Sequence, residues 1–327
     1  LEGKLVCCYS QQTSGGKPWL DDETGNAPMT KPPESKLGIH SFVWTGGSTA
    51  EALEGAMEKT HRLGYGLIEF PRLDPKKFDV AWLAKRLENY GLKVVVTMGL
   101  PADADVSSED AASVKRGEAI LDDAVAITRD LGGSKLGGII FSAHNKYRSL
   151  PTRKGWDNSV ATLAKVADRA KSSGVSLNLE LVNRFETNLL NTTAQGLAYI
   201  EQSGSDNIFL HLDTFHMNIE EADPAAAIRL AGDKLGYFHI GESNRGYLGS
   251  GVINFTAAFD ALHAIGYDDW ITFESFSSEV VDEDLSVTCA IWRNTWTDNV
   301  EVARLAKAFI EAKQGEAERK AIANRTP

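Results

Sequence analysis

Cysteine is scarce: three residues in 327, with Cys7 and Cys8 adjacent and Cys289 far away. That excludes a disulfide framework and a CxxC metal site, and it favours a reducing compartment. Long apolar runs are missing as well. Nothing approaches the roughly 18 consecutive apolar residues that cross a bilayer, and the opening LEGKLVCCYS lacks the apolar centre of a signal peptide. Basic residues are outnumbered, 34 against 45 acidic ones, for a net charge of −11. Such a chain is not expected to track nucleic-acid phosphates. No GxGxxG or GxxxxGK[ST] follows the first apolar run, so no phosphate loop stands there. These absences together predict a soluble, cytoplasmic protein that binds neither nucleic acid nor membrane.

What is present is enough apolar material, 43% of the chain, for a large core. Residues 1–35 are polar, turn-rich and aperiodic, and read as a flexible extension or vector-derived segment. From residue 36 to 327 the pattern repeats. Apolar runs suited to buried parallel strands stand at 37–44, 66–71, 93–99, 136–142, 175–182, 208–213, 235–241 and 270–276. Between them lie amphipathic stretches such as EALEGAMEKTHRLG and ATLAKVADRAKSSG, with apolar residues recurring at three and four. Gly64, Gly91, Gly132, Gly174, Gly204 and Gly266 sit where a left-handed C-terminal cap stops a helix. Eight such alternations predict an α/β fold, a single-domain (β/α)8 TIM barrel over 36–327. A doubly wound open sheet is the alternative, but it more usually has five or six strands and a phosphate loop.

In a barrel of this kind the chemistry sits at the C-terminal strand ends. Glu180, Asp213, His239 and Glu274 close the last four runs, 33, 26 and 35 residues apart, about one strand-helix unit each. Each has an ordinary reading, as a loop solvator, a helix cap or a satisfied core histidine; Asp213, in HLDTFHMNIEE (211–221), also suits an N-cap. In series, three carboxylates and one imidazole converging on a barrel mouth cannot all stay ionised without a cation. The set is oxygen-rich and lacks thiolate, which suits Mn2+, with Co2+ or Mg2+ as alternatives, better than a closed zinc site. His216 is placed in the loop after Asp213, overhanging the same site. His211 shares the inward face of Asp213, with packing as its role. His40, Glu69 and His144 lie near strand ends and read equally as loop polarity, while His61 and His263 are helical and structural.

The segments ELVNRFETNLLNT (180–192), LDTFHMNIEE (212–221), FHIGESNRGYLGSG (238–251) and ITFESF (271–276) resemble the ketose 3-epimerases, the D-tagatose, D-psicose and L-ribulose 3-epimerase group of the xylose-isomerase-like sugar isomerase barrels. The similarity is strongest over 175–276, softer over 36–150, and does not reach residues 1–35. It implies metal ligation by Glu180, Asp213, His239 and Glu274, with Glu180 and Glu274 doubling as acid and base. It also implies substrate contacts from Glu186, His216 and Arg245, and a homodimer or homotetramer. His40 and Phe42 depart from the aromatic hydroxyl that relatives often present on the first strand.

The expected activity is therefore reversible, metal-dependent C3 epimerisation of a free ketose through a cis-enediolate. A carboxylate on each flank would remove and return the proton. Alternatives are an aldose-ketose isomerase on the same barrel, an endonuclease IV-like metal phosphodiesterase, and a barrel that only binds sugar or metal. Phe42, Trp44, Met98 and Trp292 are candidates for the wall around the distal sugar carbons. The C-terminal helix is a candidate subunit contact, or simply the eighth outer helix.

Overall fold

The eight apolar runs become eight parallel strands: β1 (Leu37–His40), β2 (Leu67–Pro71), β3 (Lys93–Leu100), β4 (Lys135–Ala143), β5 (Ser176–Glu180), β6 (Ile208–Asp213), β7 (Leu235–Ile240) and β8 (Ile271–Phe273). In this computed structural model, which describes residues 36–74, 79–281 and 283–324, they pair in sequence order and β8 closes on β1. The expected TIM barrel is the fold observed. The extension expected over residues 1–35 lies outside the described residues.

The outer layer is α1 (Ala50–Arg62), α2 (Val80–Tyr90), α3 (Ala111–Asp130), α4 (Arg153–Ser172), α5 (Thr193–Ser203), α7 (Pro224–Ala231), α8 (Phe255–Ala264) and α10 (Asn299–Ala323). Their inward faces follow from spacing. In α1 the buried residues are Leu53, Ala56, Met57 and Thr60, one stripe of a 3.6-residue helix. Full burial of its Leu or Met stabilises by about 1.5–3 kcal/mol each. Helix starts are set by capping side chains, such as Thr49, Asp79 and Thr152, which accept backbone N–H groups of the first turn. All six glycines expected as caps have φ between 63° and 80°, where a side chain would be strained.

Two further helices, α6 (Thr214–Glu220) and α9 (Glu283–Thr288), sit in the loops after β6 and β8. The first corrects the expectation that His216 lies in a loop: it is in the opening turns of α6. β1 and β8 are shorter than their apolar runs. β1 stops because His40 Nδ1 accepts the Phe42 N–H at 3.1 Å and turns the chain into a short 3-10 helix. No helix among the described residues is long and apolar enough to cross a membrane.

Candidate active site and metal centre

Strand residues alternate between the barrel lumen and the helix layer. Leu67, Val95 and Tyr237 form a lumen floor packed on Trp270. Two residues further along the same strands come Glu69, Thr97 and His239. Register then sets Glu180 beside His211, Asp213 beside His239 and His239 beside Thr272. Glu180 and Asp213 close β5 and β6, His239 is the penultimate residue of β7, and Glu274 follows β8 directly.

These four residues, singled out from sequence, are brought together: each offers one ligand atom within 4.8 Å of the other three. Opposite ligands of a divalent ion with bonds of about 2.0–2.2 Å are about 4.0–4.4 Å apart, so small shifts suffice to close around one. His239 Nδ1 is buried without a hydrogen-bond partner among the described residues. It faces Glu274 Oε2 at 3.6 Å and Glu180 Oε1 at 3.9 Å. An unpartnered imidazole nitrogen ringed by carboxylates fits a divalent cation.

The other nitrogen of His239 is fixed by Glu69, which is fully buried in β2 and is not loop polarity. Its Oε2 lies 2.7 Å from His239 Nε2 and accepts the Tyr237 hydroxyl at 2.6 Å; its Oε1 accepts Thr97 Oγ1 at 2.6 Å and stands 3.3 Å from His40 Nε2. A carboxylate in that position holds the proton on Nε2 and leaves Nδ1 free for a metal. Burial opposes the charge on both partners. His239 and His40 together nevertheless overcome it and lower Glu69, and Glu69, with Glu274, raises His239 well above its ordinary value.

Arg245 enters from the β7–α8 loop, stitched by buried Glu242, which accepts Ser243 N and Gly249 N. Its own φ is 57°, a left-handed conformation that costs about 1–2 kcal/mol. Ser275 and Thr295 hydroxyls hold its carbonyl there. Arg245 Nη1 donates to Asp213 Oδ2 at 2.9 Å and Glu274 Oε2 at 2.6 Å. A Cβ at Gly241 would come within 2.9 Å of that nitrogen, so glycine makes the approach possible. The guanidinium also stacks on Phe215, 3.9 Å from the ring centroid.

His216 Nδ1 accepts the Asn183 backbone N–H at 3.2 Å, with Asn183 Nδ2 2.9 Å away, so a neutral ring carries its proton on Nε2. Nε2 stands 3.7 Å from Glu180 Oε1 and 3.6 Å from Asp213 Oδ2. Burial holds His216 below its ordinary value and so favours that neutral form. Asn183 Nδ2 also donates to Glu186 Oε1 at 2.8 Å, while His144 Nε2 lies 3.2 Å from Glu186 Oε2. Burial opposes ionisation of Glu186, but His216 and His144 overcome it and hold its carboxyl at about 2.

Glu180 and Glu274 are pushed apart. Burial, reinforced by Glu274 and Asp213, raises Glu180 well above the usual carboxylate range. Burial acts on Glu274 too, but the Arg245 guanidinium and then His239 hold it well below. The two carboxyls are thus biased in opposite directions by their surroundings.

All seven residues singled out from sequence meet at one end of the barrel. Glu180, Glu186, His216, Arg245 and Glu274 line a cavity of about 600 Å³, and Phe42, Met98 and Trp292 line it too. Trp44 does not join them. It is buried beside α1, its indole N–H donating to Thr60 Oγ1 at 2.9 Å. Glu69 and Asn183 were not selected from sequence; Glu69 had a signal, an acid inside the apolar run LIEFP.

The class defined by this barrel and its acidic mouth agrees with the comparisons. The chain belongs to the xylose isomerase-like TIM-barrel family, whose model matches residues 57–304. Within it the chain falls among the ketose 3-epimerases, and it is an isomerase-class enzyme. It is 58% identical to an L-ribulose 3-epimerase of Mesorhizobium japonicum, across 88% of this chain and 97% of that protein. A solved L-ribulose 3-epimerase superposes with a TM-score of 0.87 at 57% identity, covering 89% of this chain and 98% of that one. A D-allulose 3-epimerase from Methylomonas sp., solved in complex with D-allulose, gives 0.83 at 44% identity, covering 88% and 100%.

Proposed function

We propose that the chain epimerises free ketoses reversibly at C3, with Glu180 and Glu274 as the acid-base pair and a cis-enediolate between them. The observation that carries this reading is the pair itself. The two carboxylates come from strands three steps apart in the ring, share one cluster with Asp213 and His239, and titrate in opposite directions. Epimerisation needs a proton removed from one face of C3 and returned to the other, which one carboxylate alone does not provide.

One of the two carboxylates takes the proton from C3 and the other returns one from the opposite wall; the reverse reaction exchanges the roles. His216 Nε2–H and Arg245 donate to the oxygen that gains negative charge at C2, and Glu186, ionised, accepts a sugar hydroxyl. Aligned donors of this kind contribute roughly 3–4 kcal/mol each to an oxyanion transition state. Phe215 packs against the guanidinium and helps to orient it. A divalent cation held by Glu180, Asp213, His239 and Glu274, with Mn2+ suiting this oxygen-rich set best and Co2+ or Mg2+ also compatible, supplies Lewis acidity to the carbonyl end. A phosphodiesterase of the endonuclease IV type needs more histidine ligands than these four residues offer. The relatives' names and the D-allulose complex support a ketose as substrate. The homodimer or homotetramer expected from the family is part of the same reading, and light scattering of the purified chain tests it.

The test is incubation of Mn2+-loaded protein with D-fructose, D-tagatose and L-ribulose in deuterated water, with the label located by NMR. Deuterium at C3 is expected. Deuterium at C1 alone transfers the assignment to an aldose-ketose isomerase. Glu180→Gln and Glu274→Gln are each expected to abolish exchange in a folded protein; near-normal exchange in either refutes its role.

A further inference from the structure

His211, two residues before Asp213 on β6, reads from sequence as a packing residue and has no part in the reaction proposed above. It is fully buried, and neither Nδ1 nor Nε2 has a hydrogen-bond partner among the described residues. Leaving such groups unsatisfied costs about 1–3 kcal/mol each. The imidazole stands edge-on to His239, ring centroids 4.1 Å apart at 85°. Its Nδ1 is 4.0 Å from Glu180 Oε2. The other oxygen of Glu180, Oε1, is the one facing His239 Nδ1. Glu180, His211 and His239 thus each present a ligand atom within 4.8 Å of the other two, a second group that overlaps the first.

We propose that Glu180, His211 and His239 form an alternative, nitrogen-rich cation position beneath the four-residue centre, selective for Zn2+ or Cu2+. The proposal rests on the reading of Glu180, Asp213, His239 and Glu274 as the metal centre. The two ligand sets differ in kind. The upper offers three carboxylates and one imidazole, suited to hard ions of high coordination number. The lower offers two imidazoles and one carboxylate, the set of three-ligand zinc sites, and nitrogen ligands favour copper and zinc over manganese. Because Glu180 and His239 belong to both, one ion excludes the other. An ion in the lower position gives up Asp213 and Glu274, and it draws Glu180 down, away from the cavity where a sugar would meet it. Zn2+ and Cu2+ would then compete with Mn2+ without replacing it in turnover.

Electron paramagnetic resonance of the full chain loaded with Cu2+ tests this, because superhyperfine coupling counts the nitrogens on the ion. Two are expected in the native protein and one in His211→Gln. In calorimetric titrations the same variant is expected to bind Zn2+ on the order of tenfold more weakly, as losing an outer partner or ligand does, with Mn2+ binding little altered. One nitrogen in the native protein, or two that survive His211→Gln, overturns the proposal. Should the variant fail to fold, anomalous diffraction from a Zn2+-soaked native crystal decides: a peak at bonding distance from His211 supports the lower position, and one among Asp213 and Glu274 overturns it. Cu2+ held by one nitrogen with Mn2+ bound normally defeats only this proposal. Failure to bind either ion defeats the metal centre as well.

Discussion

Glu69→Gln is the substitution that interrogates the site without touching a sugar or a ligand atom. Four hydrogen-bearing groups converge on the Glu69 carboxylate: His239 Nε2 at 2.7 Å, the Tyr237 hydroxyl at 2.6 Å, the Thr97 hydroxyl at 2.6 Å and His40 Nε2 at 3.3 Å. An ionised carboxylate accepts all of them; an amide of the same shape must turn its NH2 toward one side and meet a donor there. If that donor is His239, relief comes by moving its proton to Nδ1, the nitrogen facing the four-residue centre, where it blocks a cation. Loss of such a carboxylate-histidine partnership typically weakens metal binding 10–100-fold, or about 1.4–2.7 kcal/mol. A calorimetric Mn2+ titration at neutral pH, with circular dichroism to confirm folding, reads this directly. In the metal-free protein the variant also loses a buried ion pair, for which about 3 kcal/mol is an upper figure because His239 can shed its proton instead. The reasoning fails if folded Glu69→Gln binds Mn2+ within twofold of the native protein.

Asn183→Ala removes one of the two N–H groups that hold the His216 tautomer and the amide that positions Glu186; kcat for ketose epimerisation is expected to fall about 10-fold or more, with a smaller change in KM. Glu186 titrates at about 2 when folded against an ordinary 4.5, so its contribution to stability is complete above 4.5 and drains as pH falls toward 2. Glu186→Gln should therefore flatten the decline in melting temperature over that acid range, and an unchanged slope would refute the assignment. Two glycine substitutions should act oppositely in thermal melts. Gly55→Ala, in α1 with open space around it, should stabilise by about 0.5–1 kcal/mol. Gly117→Ala, in α3, would place Cβ 2.3 Å from the Ala104 carbonyl and should destabilise by about 1–3 kcal/mol.

The barrel and the four cluster residues were legible because both depend on local sequence: an apolar run, a polar terminus, and one strand-helix unit before the next. What stayed hidden depends on pairings across the ring. Glu69 reads as an ordinary acid near a strand end until β7 brings His239 to it from 170 residues away. Parallel strands apolar on both faces do not reveal which residues point inward. Trp44 was misplaced for a related reason, since the turn made by His40 swings the chain toward α1 before the tryptophan is reached. Asp213 is the most instructive case, because sequence offered a helix cap and a metal ligand as rivals. Its Oδ1 accepts the Phe215 N–H at 2.8 Å and opens α6, while its Oδ2 faces Arg245 and the cluster. One carboxylate caps the helix and also faces the cluster, and the cap fixes the side-chain torsion that aims Oδ2 at the centre, as the proposed ligand role requires. The same short helix carries His216 into place three residues later, so the local signal for a helix start and the chemical signal for a ligand were one feature of the chain.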